Sequence, residues 1–173
     1  MPFMDGREPV SRTVLIGGVA PATLFAVVTD FPSYPRMFPE MKEVRVLSRK
    51  PLSEGGIDGA DGAEIVRVEF KAQVVLAVRY VLDLVCRPQP ANAPTHDWTM
   101  DWTFVEGEIV TDSQGGWRFV AEGNGTRLTY RAALQVKAPL PGFVLRKVTD
   151  GLVAASLPAM LGAVEREARK RQT

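Results

Sequence analysis

Apolar and polar residues alternate through most of the middle of this chain. Val66, Val68, Phe70 and Ala72 share one face between Glu64 and Ala72, with Arg67, Glu69 and Lys71 on the other. Leu76, Val78, Tyr80, Leu82 and Leu84 continue the pattern, opposed by Arg79, Asp83 and Arg87. Trp98, Met100, Trp102 and Phe104 then stand against Asp97, Thr99, Asp101 and Thr103. Trp117, Phe119 and Ala121 alternate with Arg118 and Glu122, and Leu128, Tyr130, Ala132, Leu134 and Val136 with Arg127, Thr129, Arg131 and Gln135. A period of two with a single apolar face predicts an antiparallel sheet wetted on one side. Val10–Ile16, ended by Gly17-Gly18, and Val44–Ser48 read as further strands.

Turn chemistry separates these runs. Ser53 to Gly62 reads as a flexible loop, Arg87 to Pro94 as a proline-rich connection, and Ser113-Gln114-Gly115-Gly116 as a turn. Glu122-Gly123-Asn124-Gly125 predicts a tight hairpin, because Asn-Gly readily takes positive φ.

Helical spacing is confined to the ends. Pro21 opens a short helix carrying Leu24, Val27 and Val28 on one face, and Phe31-Pro32 ends it. Tyr34 to Met41 allows one more turn between prolines. Residues 142–171 predict one long helix, ~45 Å at 1.5 Å per residue. Pro158 falls inside it, so a kink or break is expected near Ser156–Pro158. The charged end, Glu165 to Arg171, is expected to be solvated. The fold class is therefore α+β, with residues 1–8 as a flexible leader and 9–173 as one domain.

Composition narrows the function. A formal net charge of +1 over 173 residues argues against a broad basic surface for nucleic acid. One cysteine, Cys86, and one histidine, His96, leave no zinc site and no intramolecular disulfide. No basic-then-apolar leader and no membrane-length apolar run is present, so a cytoplasmic protein is expected. No phosphate loop, nucleophile elbow or nucleotide fingerprint occurs, and no catalytic residue, metal or cofactor is assigned.

Asp97 and Asp101, four apart on a strand, are separated by ~13 Å and read as solvated carboxylates. His96 reads as a surface residue at a strand entry and Cys86 as a buried, inert thiol. Arg79 with Asp83, and Arg67 with Glu69, read as exposed pairs of small energetic value. The inner face is more informative. Phe70, Tyr80, Trp98, Met100, Trp102, Trp117, Phe119 and Tyr130 form either a filled core or the wall of a cavity for an amphipathic or ring-shaped ligand.

Val27-Val28-Thr29-Asp30-Phe31-Pro32-Ser33-Tyr34-Pro35-Arg36-Met37-Phe38-Pro39-Glu40-Met41-Lys42-Glu43-Val44 resembles the opening of the polyketide cyclase/dehydrase and coenzyme-Q-binding START-type family. Gly116-Trp117-Arg118-Phe119, Gly125 to Tyr130, Leu140-Pro141-Gly142-Phe143 and Leu157-Pro158 extend the resemblance over residues 10–168. That family lies within the helix-grip superfamily, and Pro158 fits its pattern. The resemblance implies a curved seven-stranded antiparallel sheet gripping the C-terminal helix, two short helices after the first strand, and a cavity between sheet and helix.

Leu145, Val148, Leu152 and Val153 of that helix would then face a guest. The leading reading is a binder of a lipid, isoprenoid quinone or polyketide. An aromatase/cyclase using Tyr80 or Tyr130 to orient carbonyls is the alternative. A ribosome- or protein-interacting regulator, suggested by Arg166, Arg169, Lys170 and Arg171, is the third. Pro139 to Phe143 reads as an apolar loop suited to transient membrane contact.

Overall fold

The stripes of period two become one sheet. The computed structural model describes residues 9–54, 57–58, 62–88, 97–152 and 157–173. Its strands are β1 (Val10–Ile16), β2 (Met41–Pro51), β3 (Ser53–Glu54), β4 (Ile57–Asp58), β5 (Glu64–Gln73), β6 (Ala77–Arg87), β7 (Trp98–Gly107), β8 (Val110–Glu122) and β9 (Gly125–Val136). Seven form an antiparallel sheet in the order β1-β9-β8-β7-β6-β5-β2, while β3 and β4 make a separate two-stranded ribbon within the predicted 53–62 loop. Register shifts interrupt β2 against β5, β6 against β7, and β8 against β9. Extra residues on one strand of a pair increase local twist and bend it, which is how this sheet acquires its curvature.

One predicted turn is corrected, and the predicted hairpin at Glu122–Gly125 forms with its positive φ on a different residue. Ser113 to Gly116 lies inside β8, and the chain reverses instead at Glu108–Ile109, where Ile109 has φ 71°. The glycines at 115 and 116 serve close approach: a Cβ on Gly115 would meet the Trp102 ring and the Arg131 carbonyl oxygen, and one on Gly116 the Asp101 carboxylate. In the second hairpin the two loop residues are Gly123 and Asn124. Gly123 carries the positive φ (58°), while Gly125 belongs to β9 against the Ile16 carbonyl.

Helix α1 (Pro21–Val28) starts on Pro21, whose missing N–H needs no partner in the first turn. A 3-10 turn (Phe31–Ser33) and α2 (Tyr34–Met37) follow. These elements run between β1 and β2, the two edges of the sheet. The terminal segment contains α3 (Gly142–Leu152) and α4 (Leu157–Gln172). Pro158 occupies the first turn of α4 rather than a helix interior, so it breaks no hydrogen bond there. Leu157, Leu161, Val164 and Ala168 are buried at spacings of four and three, the inward stripe of an amphipathic helix.

The end of α4 is not uniformly solvated, as its charge predicted. Glu167 is 9% exposed and receives a two-pronged hydrogen bond from Arg36 of α2, at 2.8 and 2.9 Å. Arg171 donates to Glu167 at 3.1 Å and to Asp30 at 2.7 Å, and Ser33 also donates to Asp30. This clamp ties the helical connection to α4. The Glu167 carboxyl is held down to about 2, chiefly by the Arg36 hydrogen bonds, with Arg171 adding and burial opposing.

A carboxyl whose folded pKa lies below its ordinary value of 4.5 adds stability above that pH. That contribution fades as pH falls from 4.5 towards about 2. Glu167→Gln is therefore expected to lower the urea midpoint at neutral pH and to converge with the parent protein in acid. A constant gap across that range would show that the clamp is not the source of the difference.

Candidate functional site

Between the concave face and the helices lies a partly open cavity of about 250 Å³. Its sheet wall carries Phe70 and Ala72 from β5, Tyr80, Leu82 and Leu84 from β6, and Met100 and Trp102 from β7. Trp117 of β8 and Tyr130 of β9 complete that wall. Opposite lie Tyr34, Met37 and Phe38 at α2, Leu152 at the end of α3, and Met160, Ala163 and Arg166 along α4. Pro39, Glu40 and Met41 line it where α2 gives way to β2. Alternation places the sheet residues here: on β5 to β9 every second side chain faces the helices.

The rings lock one another. Phe70 and Tyr80 stack with centroids 5.3 Å apart, and Tyr130 meets Trp117 edge-on at 4.8 Å and Trp102 at 5.8 Å. Tyr34 packs on both Phe38 and Phe70. Pairs of this geometry contribute about 0.5–1.5 kcal/mol each beyond area burial, so the wall is stiff.

Polar atoms in this wall fall into two groups. The Tyr34 hydroxyl donates to the Val28 carbonyl, and the Trp102 indole N–H donates to Ser113 Oγ at 3.1 Å. Both are committed to the fold. Tyr80 and Tyr130 have no hydrogen-bond partner among the described residues. Every fully enclosed side-chain oxygen or nitrogen described does have one, so these two hydroxyls open onto the cavity space. Burial raises the pKa of both phenols, which keeps them protonated and able to donate. Burial also pushes the Cys86 thiol up to about 12, with Glu64 adding and Arg49 opposing, so it is no nucleophile at neutral pH.

Of the residues expected at the site, Phe70, Tyr80, Met100, Trp102, Trp117, Tyr130 and Leu152 meet around the cavity. Four stand elsewhere. Trp98 packs on Phe25 of α1 at 5.0 Å, and Phe119 lies edge-on to the same ring in the core. Val148 is buried, and Leu145 is half-buried outside the lining. Val153 and His96 lie outside the described residues, as do residues 1–8. Tyr34, Met37, Phe38 and Met160 were missed. Tyr34 and Phe38 sit in a proline-broken stretch with no period to assign them a face.

On the outer surface the cross-strand partners differ from those predicted. Arg67 pairs with Asp83, directly across the β5–β6 ladder, and Arg79 with Glu69 and Glu106. Residues two apart on one strand share a face but diverge, whereas cross-strand neighbours approach within reach. Asp97 pairs with Arg118, and burial raises the Asp101 carboxyl despite Arg87 and Arg131 nearby. Leu140 and Phe143 are exposed, the latter 63%. No helix among the described residues is long and apolar enough to cross a membrane.

The sequence profile of the family described as "Polyketide cyclase / dehydrase and lipid transport" matches residues 18–161. The chain belongs to that family. Among solved structures, a protein of Thermus thermophilus superposes with a TM-score of 0.70 at 18% identity, over 96% of this chain and 100% of its own. A START superfamily protein from Mycobacterium smegmatis gives 0.64 at 20% identity, over 94% and 97%. The Streptomyces sp. R1128 aromatase/cyclase gives 0.65 at 19%, over 96% of each chain. No curated protein matches by sequence. At these identities the structural likeness establishes the helix-grip fold, and that fold hosts both transfer proteins and enzymes. Family and fold fit hydrophobic ligand binding or polyketide cyclase chemistry.

Proposed function

We propose that this protein binds a hydrophobic small molecule, a lipid, isoprenoid quinone or polyketide-like ring compound, between the sheet and the C-terminal helices. The observation that carries this reading is an aromatic cavity of about 250 Å³ onto which two protonated phenols open. A ligand with an apolar body and a carbonyl or hydroxyl oxygen satisfies both features. Aromatase/cyclase activity is the second reading, favoured by the fold shared with the Streptomyces enzyme. Proton abstraction needs a group ionised near neutral pH at the reacting carbon. Tyr80 and Tyr130 are raised away from that range, and Glu40, the carboxylate among the described lining residues, is exposed at the junction of α2 and β2 rather than set in the aromatic wall. Binding therefore ranks above catalysis.

The test compares fluorenone with fluorene, the same ring system with and without one carbonyl, as competitors of a bound fluorescent naphthyl probe. Both should displace the probe. Tyr80→Phe combined with Tyr130→Phe should weaken fluorenone about fivefold, the scale of one net hydrogen bond, and leave fluorene unchanged. Failure of both rings to compete would overturn the binding reading. Equal affinities in parent and variant would remove the phenols from it. Native mass spectrometry of the purified protein then identifies any resident ligand.

A further inference from the structure

We propose that Arg166 forms a headgroup subsite at the cavity, selecting an amphipathic ligand that ends in an anionic oxygen group, a carboxylate or a phosphate. The inference rests on the binding reading above and adds the polarity and orientation of the guest.

Helix α4 carries four cations at its end, of which Arg169 and Arg171 are paired and Lys170 lies outside the cavity lining. Arg169 is held by Glu165 at 3.1 Å, and Arg171 by Asp30 and Glu167. Arg36, facing α4 from α2, is held by Glu167. Arg166 differs in both respects that matter. It lines the cavity, and it has no hydrogen bond or ion pair with any described residue. A guanidinium offers five donors in a planar fork that matches two oxygens of one anion, and here all five are uncommitted among the described residues.

Gly162, one turn earlier, leaves the guanidinium room. A Cβ at residue 162 would lie 3.2 Å from Arg166 Nη1, so a side chain there would press on the guanidinium. Glycine inside a helix costs about 1 kcal/mol relative to alanine. Room for the arginine is a local use for it.

The opposite charge lines the same cavity. Glu40 forms no ion pair among the described residues, with Arg166 or with any other cation. An anionic headgroup is attracted to the α4 side and repelled from the Glu40 side. The apolar body then points inward, towards Met100 and the aromatic wall. The ligand enters tail first.

The experiment measures binding of dodecanoate, dodecyl phosphate and dodecanol, which share a tail and differ in the headgroup. The protein is the full chain, its Arg166→Met and Arg166→Lys variants, and Glu40→Gln. The parent should bind one or both anions about tenfold more tightly than dodecanol, the scale of a charge-assisted contact. Preference between the two anions distinguishes an acyl from a phosphate headgroup. Arg166→Met should erase the preference by weakening the anions about tenfold more than dodecanol, Arg166→Lys should retain part of it, and Glu40→Gln should tighten the anions.

Equal binding of all three amphiphiles by the parent, or an unchanged preference in Arg166→Met, would overturn the headgroup subsite alone. Exclusion of all three, alongside failure of the uncharged rings, would overturn the cavity reading itself. Thermal melting of each variant accompanies the titrations, because Arg166 is exposed and makes no described fold contact that its loss would break.

Discussion

Ala163→Phe is expected to abolish uptake of hydrophobic ligands while leaving the protein folded. Ala163 lies on the buried side of α4 and lines the cavity, so a phenyl group grown from it enters space of only about 250 Å³. The ring competes directly with any guest. Affinity for fluorene should fall roughly 100-fold, about 2.7 kcal/mol. Stability should hold or rise, since atoms bordering an empty volume gain dispersion contacts when it is filled. Titration of fluorene with parallel melting curves checks both halves. Unchanged affinity in a folded variant would place the ligand somewhere other than this cavity.

The second large effect is expected at Gly115→Ala. Gly115 stands directly across the β7–β8 ladder from Trp102. A Cβ on it would overlap both the Arg131 carbonyl oxygen and the indole ring. Backbone cannot yield there without disturbing the β8–β9 pairing, so the indole must move and take its hydrogen bond to Ser113 with it. Overpacking together with that lost bond should destabilise the protein by about 3 kcal/mol. Urea unfolding followed by tryptophan fluorescence measures it, and a loss below ~1 kcal/mol would mean the sheet absorbs the methyl group.

These two positions also mark where one-dimensional reading works and where it stops. Period two identified the strands and the inward faces of β5 to β9, because burial on a pleated sheet follows parity. It failed at Gly115-Gly116, where two adjacent small residues carry the same local signature whether they make a turn or admit a neighbouring indole. The true reversal contains Ile109 at positive φ, a conformation that β-branched residues rarely adopt, so nothing in composition announced it.

The clamp was hidden for a different reason. Arg36 and Glu167 are 131 residues apart, and a charged helix end looks the same whether water or an arginine from elsewhere solvates it. The division of the tyrosines was equally out of reach. Tyr34 spends its hydroxyl on a backbone carbonyl, whereas Tyr80 and Tyr130 keep theirs for the cavity, and only the tertiary arrangement separates them.

The joining of α4 to the segment between β1 and β2 bears on how the protein folds. Gln172 donates to the Gly18 carbonyl across 154 positions, and Arg171 reaches Asp30 across 141. Closing loops of that length is entropically slow, so these contacts belong to the late, high-contact-order part of assembly. Met160, Ala163 and Arg166 are supplied by this same helix. Strands β5 to β9 can pair in order of synthesis, β1 must wait for β9, and the sheet remains an open trough until α4 docks. Completion of the cavity therefore waits for α4.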